Sequence, residues 1–237
     1  MDGAVEAGNK VLANVGDVKF FGLNRDRMSR LKSPAAVGAN YIIVEAGLDW
    51  AVGDEIYLAP TSFQNTHSDY RFISGYDSGT GRVDFIEPLV HYHWGALSST
   101  AEDYNGLEMR GEVVLLSRNV RVVGDPYDAW GGHIVTSDTV EVGGVYRAGH
   151  MVLDNVEIYN CSQRNTYKSA LRFEGAIGRW SSVSNTVVHQ GLAWGLYIAA
   201  SSNILVKDSA TIGFKPVGVN IASTSNVTID GHIAADI

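Results

Sequence analysis

The sequence predicts an all-β chain whose second half is a parallel β-helix, and three observations predict it. First, five segments between residues 117 and 232 read alike: SRNVRVVGD (117–125), LDNVEIYNC (153–161), VSNTVVHQG (183–191), SSNILVKDS (201–209) and TSNVTIDGH (224–232). Their asparagines, Asn119, Asn155, Asn185, Asn203 and Asn226, follow one another at intervals of 36, 30, 18 and 23 residues. Fuzzy repeats of that length mark stacked units, none of which buries its apolar face alone. Second, one and three residues after each Asn stand Val120/Val122, Val156/Ile158, Thr186/Val188, Ile204/Val206 and Val227/Ile229. A period of two is a strand with one buried face. Third, another alternating element recurs between them, in GGHIVTS (131–137), SALRFEG (169–175), WGLYIAA (194–200) and VGVNIAS (217–223).

Two or three short strands per turn, bent at Gly, Ser and Asn, describe coils in which each strand pairs with its counterpart one coil away, ~4.8 Å distant. The five asparagines are then expected to form one stacked amide ladder at a single bend. Val120, Val156, Ile204 and Val227 are expected to point inward. Arg121 and Glu157 share the outward column, and an ion pair between them is worth no more than about 1 kcal/mol. The alternative is an antiparallel β-sandwich, in which each Asn is merely a turn residue.

Composition bounds the rest. The 237 residues suffice for one large all-β domain, or for one domain and part of another. A 45% apolar content with 19% charged residues fits a packed core, and 26 Gly against 5 Pro fits many tight turns. A net charge of −8 argues against a nucleic-acid surface. No apolar stretch approaches the ~20 residues that cross a bilayer. The start, MDGAVEAGNK, lacks the basic and apolar regions of a secretion signal, so the chain reads as cytosolic or as a piece of a longer precursor. The single Cys161 permits no internal disulfide and reads as a buried, inert thiol.

Towards the N-terminus, KVLANVGDVKFFGL (10–23) alternates like a hairpin-like pair of strands, and the basic stretch NRDRMSRLKS (24–33) reads as a solvated loop. Strands are expected at Tyr41–Glu45 and Glu55–Ala59, with a turn on Gly47, Asp49 and Gly53 between them. A hairpin follows, Tyr70–Tyr76 with Arg82–Glu87 about Asp77–Gly81. His91 and His93 would share a strand face, as metal ligands do, but no third ligand stands nearby. An aromatic-rich bend over one end of the core is the better reading, so neither a metal nor another cofactor is assigned. LSSTAEDYNGLEMRG (97–111) reads as a polar surface loop with a helical turn at Ser99–Asp103.

The stretch Leu48-Asp49-Trp50-x-x-Gly53-Asp54-Glu55-Ile56, followed by Pro60-Thr61-Ser62, resembles the end of the extracellular domain named for its eight glycines. That domain occurs in fibrocystin and its relatives and in the cell-surface hyaluronidase family. EPLVHYHWGA (87–96), EVVLLSRNVRVVGD (112–125) and WGGHIV (130–135) follow in family order, so the resemblance spans roughly residues 10–215. It implies an extracellular or cell-surface location, including the ciliary surface, and a right-handed parallel β-helix. The division expected is 1–62 as the end of an eight-glycine-type β domain, 63–116 as an irregular hairpin and loop region, and 117–237 as β-helix coils. The chain then looks like a fragment of a larger protein.

The resemblance also sharpens the question of a site. Catalytic β-helices need clustered carboxylates, or carboxylate with His and Arg, on neighbouring coils. Asp125, Asp138, Asp154, Glu157, Asp208 and Asp230 are the candidates, and most stand at bends, where Asp is a turn residue by default. Enzyme-like relatives carry Arg-Tyr-Pro-x-His-Phe-His on one coil, whereas this chain has Lys168-Ser169-Ala170-Leu171-Arg172-Phe173-Glu174. Arg172 and Glu174 replace the two outward imidazoles, and Ala199 replaces a third His on the next coil. The expectation is a non-catalytic structural or adhesion module, its partners being other protein subunits or extracellular glycans. The alternatives are a polysaccharide-cleaving enzyme, and a carbohydrate-binding module using Trp94, Trp130, Trp180 or Trp194. The ligand-binding candidates are His91, His93, Arg172 and Glu174. Of two sequons, Asn160-Cys161-Ser162 is the glycosylation candidate, because a glycan on Asn226 would break the ladder. The closing HIAADI (232–237) offers no cap, so the natural chain or a neighbouring molecule is expected to continue the stack.

Overall fold

The computed structural model describes residues 5–95, 108–125 and 130–237. The helical turn expected at Ser99–Asp103 lies outside them. The chain divides into two compact units, one of residues 1–23 with 118–235 and the other of residues 24–117.

The first unit opens with β1 (Val11–Asn14) and β2 (Asp17–Phe21). The second unit follows, with β3 (Met28–Arg30), β4 (Tyr41–Ile43), β5 (Glu55–Leu58), β6 (Asp69–Asp77), β7 (Arg82–Phe85) and β8 (Glu112–Leu115). These pair antiparallel in the order β3-β8-β5-β6-β7-β4 around a core that includes Ile42, Trp50, Ile56, Ile73, Val83 and Leu115. The Asp77–Gly81 hairpin forms as expected: the Gly81 N–H donates to Asp77 O at 2.8 Å and the Thr80 hydroxyl to the Asp77 carboxylate at 2.9 Å. β4 and β5 share the sheet without pairing with each other. The Asp-Trp motif between them fixes the turn. Asp49 and Asp26 accept each other's backbone N–H at 3.0 Å, Trp50 Nε1 donates to Asp26 O at 2.7 Å, and Asp54 accepts the Ala51 N–H at 2.8 Å. The expected solvated basic loop is instead tied down: Arg25 bonds Asp54 at 2.8 Å, Arg30 bonds Glu112 at 2.7 Å, and Met28–Arg30 is a strand.

The first unit resumes with β9 (Val120–Val123), β10 (His133–Thr136), the short antiparallel pair β11 (Thr139–Val140) and β12 (Tyr146–Arg147), then β13 (His150–Asp154) and β14 (Val156–Tyr159). After them come β15 (Leu171–Glu174), β16 (Ser181–Ser184), β17 (Val187–His189), β18 (Trp194–Ala199), β19 (Ser202–Lys207), β20 (Ala210–Ile212), β21 (Val217–Ala222), β22 (Ser225–Asp230) and β23 (Ile233–Ala235). They stack into three parallel sheets. Sheet one is β1-β10-β15-β18-β21, sheet two is β2-β13-β16-β19-β22, and sheet three is β9-β14-β17-β20-β23. This is the parallel β-helix that the alternation predicts, with three strands per coil, and the antiparallel sandwich is excluded. Val156 and Ile204 are buried in its core, and Val120 and Val227 pack against it.

Two expectations are corrected. β1 and β2 are not a hairpin: β1 pairs parallel with β10 and β2 with β13, so residues 10–23 begin the first coil, and residues 24–117 form one unit between β2 and β9. The sequence hides this because 94 residues separate the parts of one coil (117 − 24 + 1). Nor do the five asparagines form one ladder. Asn155 and Asn185 stand before β14 and β17, where Asp208 and Gly231 continue their column before β20 and β23. All four share a left-handed backbone, with φ of 56°, 49°, 49° and 60°. Asn119, before β9, heads this column, and its Oδ1 accepts the Leu23 N–H at 2.7 Å, stitching together the two ends of the interrupted coil. Gly22 sits on that column too, and a Cβ there would lie 2.0 Å from the Asn155 carbonyl oxygen. Asn203 and Asn226 belong to another bend, at sheet two, where the Asn226 amide donates to Asn203 Oδ1 at 2.7 Å. The left-handed conformation is what both bends demand, and Asn, Asp and Gly meet it at low cost.

Candidate functional site

The outward face of sheet one carries the chain's candidate site. Leu171 and Phe173 of β15 point into the core, and Ala170 packs with them at the bend. Register places Arg172 beside Val135 and Tyr197, and Glu174 beside Ala199, with Asn220 and Ala222 one coil further along the same columns. Arg172 Nη1 lies 3.3 Å from Glu174 Oε2, an ion pair without the alignment of a hydrogen bond. Trp194 meets Tyr197 edge-on with ring centroids 5.6 Å apart, and Tyr167 lies 6.3 Å from Tyr197 and 5.3 Å from the Arg172 guanidinium. Arg172 and Glu174 thus bring a guanidinium and a carboxylate to a face that also carries the Tyr167, Trp194 and Tyr197 rings.

Arg172 is fully buried, which corrects its expected place on an open surface. Residues 5–9 run outside sheet one and cover it. The Glu6 carbonyl accepts from Arg172 Nη2 at 2.7 Å, and the Glu6 carboxylate accepts from Lys168 Nζ at 2.9 Å. His133, in the same sheet, is also buried; burial first, then the charges of Arg172 and Lys168, push its imidazole down to about 4. Sequence patterning cannot find this cover, because Glu6 and Arg172 are 166 residues apart and residues 5–9 follow no period.

Of the other carboxylate candidates, Asp138, Asp154 and Glu157 hold neighbouring groups through their side chains. Asp138 spends both oxygens, accepting from the N–H groups of Gly149, Ile177 and Gly178 at 2.9, 2.9 and 2.8 Å and from the Tyr146 hydroxyl at 2.5 Å. Asp154 accepts the Asn155 and Asn185 amides at 3.1 and 3.0 Å. Asp208 and Asp230 stand together at the left-handed bend, the Asp208 N–H donating to Asp230 O at 2.8 Å, and Asp125 lies just past β9. Glu157 meets His189 at 3.3 Å, yet both are buried.

In the second unit, His93 is enclosed between Asp69, 2.9 Å away, and the Ala59 carbonyl, 3.0 Å away. The His91 ring stacks on His67 at 4.6 Å, and its Nδ1 lies 3.6 Å from Asp69. Asp69, ion-paired with Arg71 at 2.6 Å, is the organising residue, and the sequence reading missed it along with His67. Burial works to raise the Asp69 carboxyl, but His93, two backbone N–H groups and Arg71 prevail and hold it below its ordinary value. Among the described residues no group of three or more His, Cys, Asp or Glu is arranged to hold a metal ion. Of the tryptophan platforms, Trp180 is exposed, Trp130 donates to Asn9 Oδ1 at 2.6 Å, and Trp94 lines a cleft of about 900 Å³ with Phe63, Met109 and Arg110. Of the sequons, Asn160 is half-buried and left-handed, with Ser162 fully buried, whereas Asn226 is exposed.

No family model matches the chain. Mouse fibrocystin is 27% identical over 205 residues, covering 84% of this chain and 5% of that protein. Dog fibrocystin is 27% identical over 197 residues, covering 81% and 4%. A G8 domain-containing protein of Dictyostelium discoideum is 23% identical over 213 residues, covering 88% and 15%. The chain thus spans a small part of these relatives. Among solved structures, the tailspike gp49 of Pseudomonas phage LKA1 aligns at a TM-score of 0.31 and 11% identity, over 92% of this chain and 30% of that one. The gp54 tailspike of Acinetobacter baumannii phage AP22, solved with a capsular saccharide, aligns at 0.31 and 7%, over 92% and 48%.

Proposed function

We propose, from the likeness to fibrocystin-like proteins over most of its length, that the chain is a non-catalytic contact module of a larger extracellular or cell-surface protein. The observation that carries this reading is the Arg172–Glu174 pair. Hydrolysis of a glycosidic bond needs an acid and a second carboxylate or base on the same face. On the outward column of sheet one, Glu174 neighbours Ala199, and Arg172 neighbours Val135 and Tyr197. A guanidinium does not exchange protons at neutral pH, so Arg172 cannot serve as the second acid or base. A stack of coils offers instead a stiff scaffold, and the Trp194, Tyr197 and Tyr167 rings offer an amphipathic ledge for a protein or glycan partner. Incubating the chain with hyaluronan and other matrix glycans and sizing the products tests the reading. Unchanged lengths are expected. Shortening that disappears in Glu174→Gln would overturn it and support the polysaccharide-cleaving alternative.

A further inference from the structure

Residues 5–9 belong to no strand, yet they make a specific set of bonds on the outside of sheet one. The Glu6 carbonyl is held by Arg172 and its carboxylate by Lys168, at 2.7 and 2.9 Å. Three residues on, the Asn9 carbonyl accepts from Gln163 Nε2 at 3.0 Å and the Asn9 side-chain oxygen accepts from Trp130 Nε1 at 2.6 Å. The segment itself is thin and open to solvent, the Glu6 side chain being 66% exposed. What it covers is the reverse: Arg172 and Gln163 are fully buried, and Lys168 nearly so. We propose that this trough is a recognition site for an extended acidic peptide of the pattern Glu-x-x-Asn, filled in this chain by its own residues 6–9.

The inference rests on the reading of sheet one as a contact face and adds the partner's chemistry and the self-occupancy. Two main-chain carbonyls and two side-chain oxygens, read at positions i and i+3, are what a peptide presents. The fit of the chain's own segment is incomplete. Among the described residues, Arg172 Nε and Gln163 Oε1 are buried without a hydrogen-bond partner, and Arg172 Nη1 has only the ion pair with Glu174. Unmade bonds of that kind oppose closure, because the same groups are solvated when the strap lifts. A partner peptide with an added donor or acceptor completes the set. Because the chain's own strap is tethered at high effective concentration, a partner binds with an affinity reduced by the fraction of open molecules.

The test is capture of a fluorescent peptide, Val-Glu-Ala-Gly-Asn-Lys, copied from residues 5–10, by the 237-residue chain. Gly8 has a φ of +76°, and a Cβ there would lie 2.6 Å from Lys168 Nζ, so Gly8→Val opposes closure. Glu6→Ala removes the carboxylate without backbone strain and serves as the second variant. Either variant should bind the peptide at least about ten-fold more tightly than the wild type. Replacing the peptide's Glu by Gln should cost about ten-fold, and Lys168→Gln in the Gly8→Val background should erase that difference. Absence of peptide capture by both variants, with wild-type circular dichroism and melting, would overturn the proposal. So would equal capture of a scrambled peptide, or preference for a uronate oligosaccharide. Glycan shortening alongside intact peptide capture would sink the non-catalytic reading and leave this one standing.

Discussion

The Arg121 guanidinium lies 2.7 Å from the Glu157 carboxylate across neighbouring strands of sheet three, joining a half-exposed cation to a buried anion. The two partners do not count equally. Glu157 also accepts the Arg118 N–H at 3.0 Å and meets His189 at 3.3 Å, so it is the hub and Arg121 a spoke.

Arg121→Ala should therefore cost within about 1 kcal/mol, whereas Glu157→Ala should cost about 3 kcal/mol by stripping a buried network of its anion. Burial alone would raise the Glu157 carboxyl, but His189, the Arg118 N–H and Arg121 outweigh it and lower it. A lowered carboxyl contributes stability above its unfolded value near 4.5, and that contribution is lost as pH falls through the folded value. The melting difference between wild type and Glu157→Gln should hold at pH 7 and shrink below about pH 4.5.

His133 gives the second pH prediction. Its imidazole, held down to about 4 in the fold, faces Arg172 and Lys168, with Glu6 on Lys168 and Glu174 on Arg172 nearby. Its neutral form contributes stability above the unfolded value of 6.5, and that stability is lost as pH falls through about 4. Wild type should lose melting temperature relative to His133→Gln between those limits. Parallel melting curves across that range would refute it.

The left-handed bend before sheet three sets a third. Asp208 has a φ of 49° in the column that ends at Gly231. Asp208→Gly should be close to neutral, and Asp208→Val should cost about 1–2 kcal/mol from the backbone alone, or ~2–8 °C in melting temperature.

Packing sets a fourth. A Cβ on Gly191 would lie 1.9 Å from Cε1 of the fully buried Phe214. Gly191→Ala should cost about 1–3 kcal/mol by overpacking, and Phe214→Ala about 3–5 kcal/mol by leaving a cavity. Combining Gly191→Ala with Phe214→Leu should cost less than the sum of the two, measured by denaturant unfolding.

Cys161 sets the last. Burial pushes its thiol up to about 12, so iodoacetamide at pH 8 should label it only in denaturant. Rapid labelling of the native chain would contradict the burial.

The sequence by itself determined the coil strands, because a strand with one buried face must alternate its apolar side chains, and Val156/Ile158 and Ile204/Val206 do so without help from the rest of the chain. It also determined the bends, since a left-handed turn selects Asn, Asp or Gly locally, and the Arg121–Glu157 pair, which follows from strand register. Tertiary structure alone decided the rest. Which bend each Asn occupies depends on how many strands a coil contains, and the alternation is the same at every strand, so Asn119, Asn155 and Asn185 could not be told from Asn203 and Asn226. That β1 and β2 complete a coil with β9 required the pairing of segments separated by a whole folded unit. The burial of Arg172 was invisible for the same reason: residues 5–9 have no periodicity, and only folding brings Glu6 onto a side chain 166 positions away.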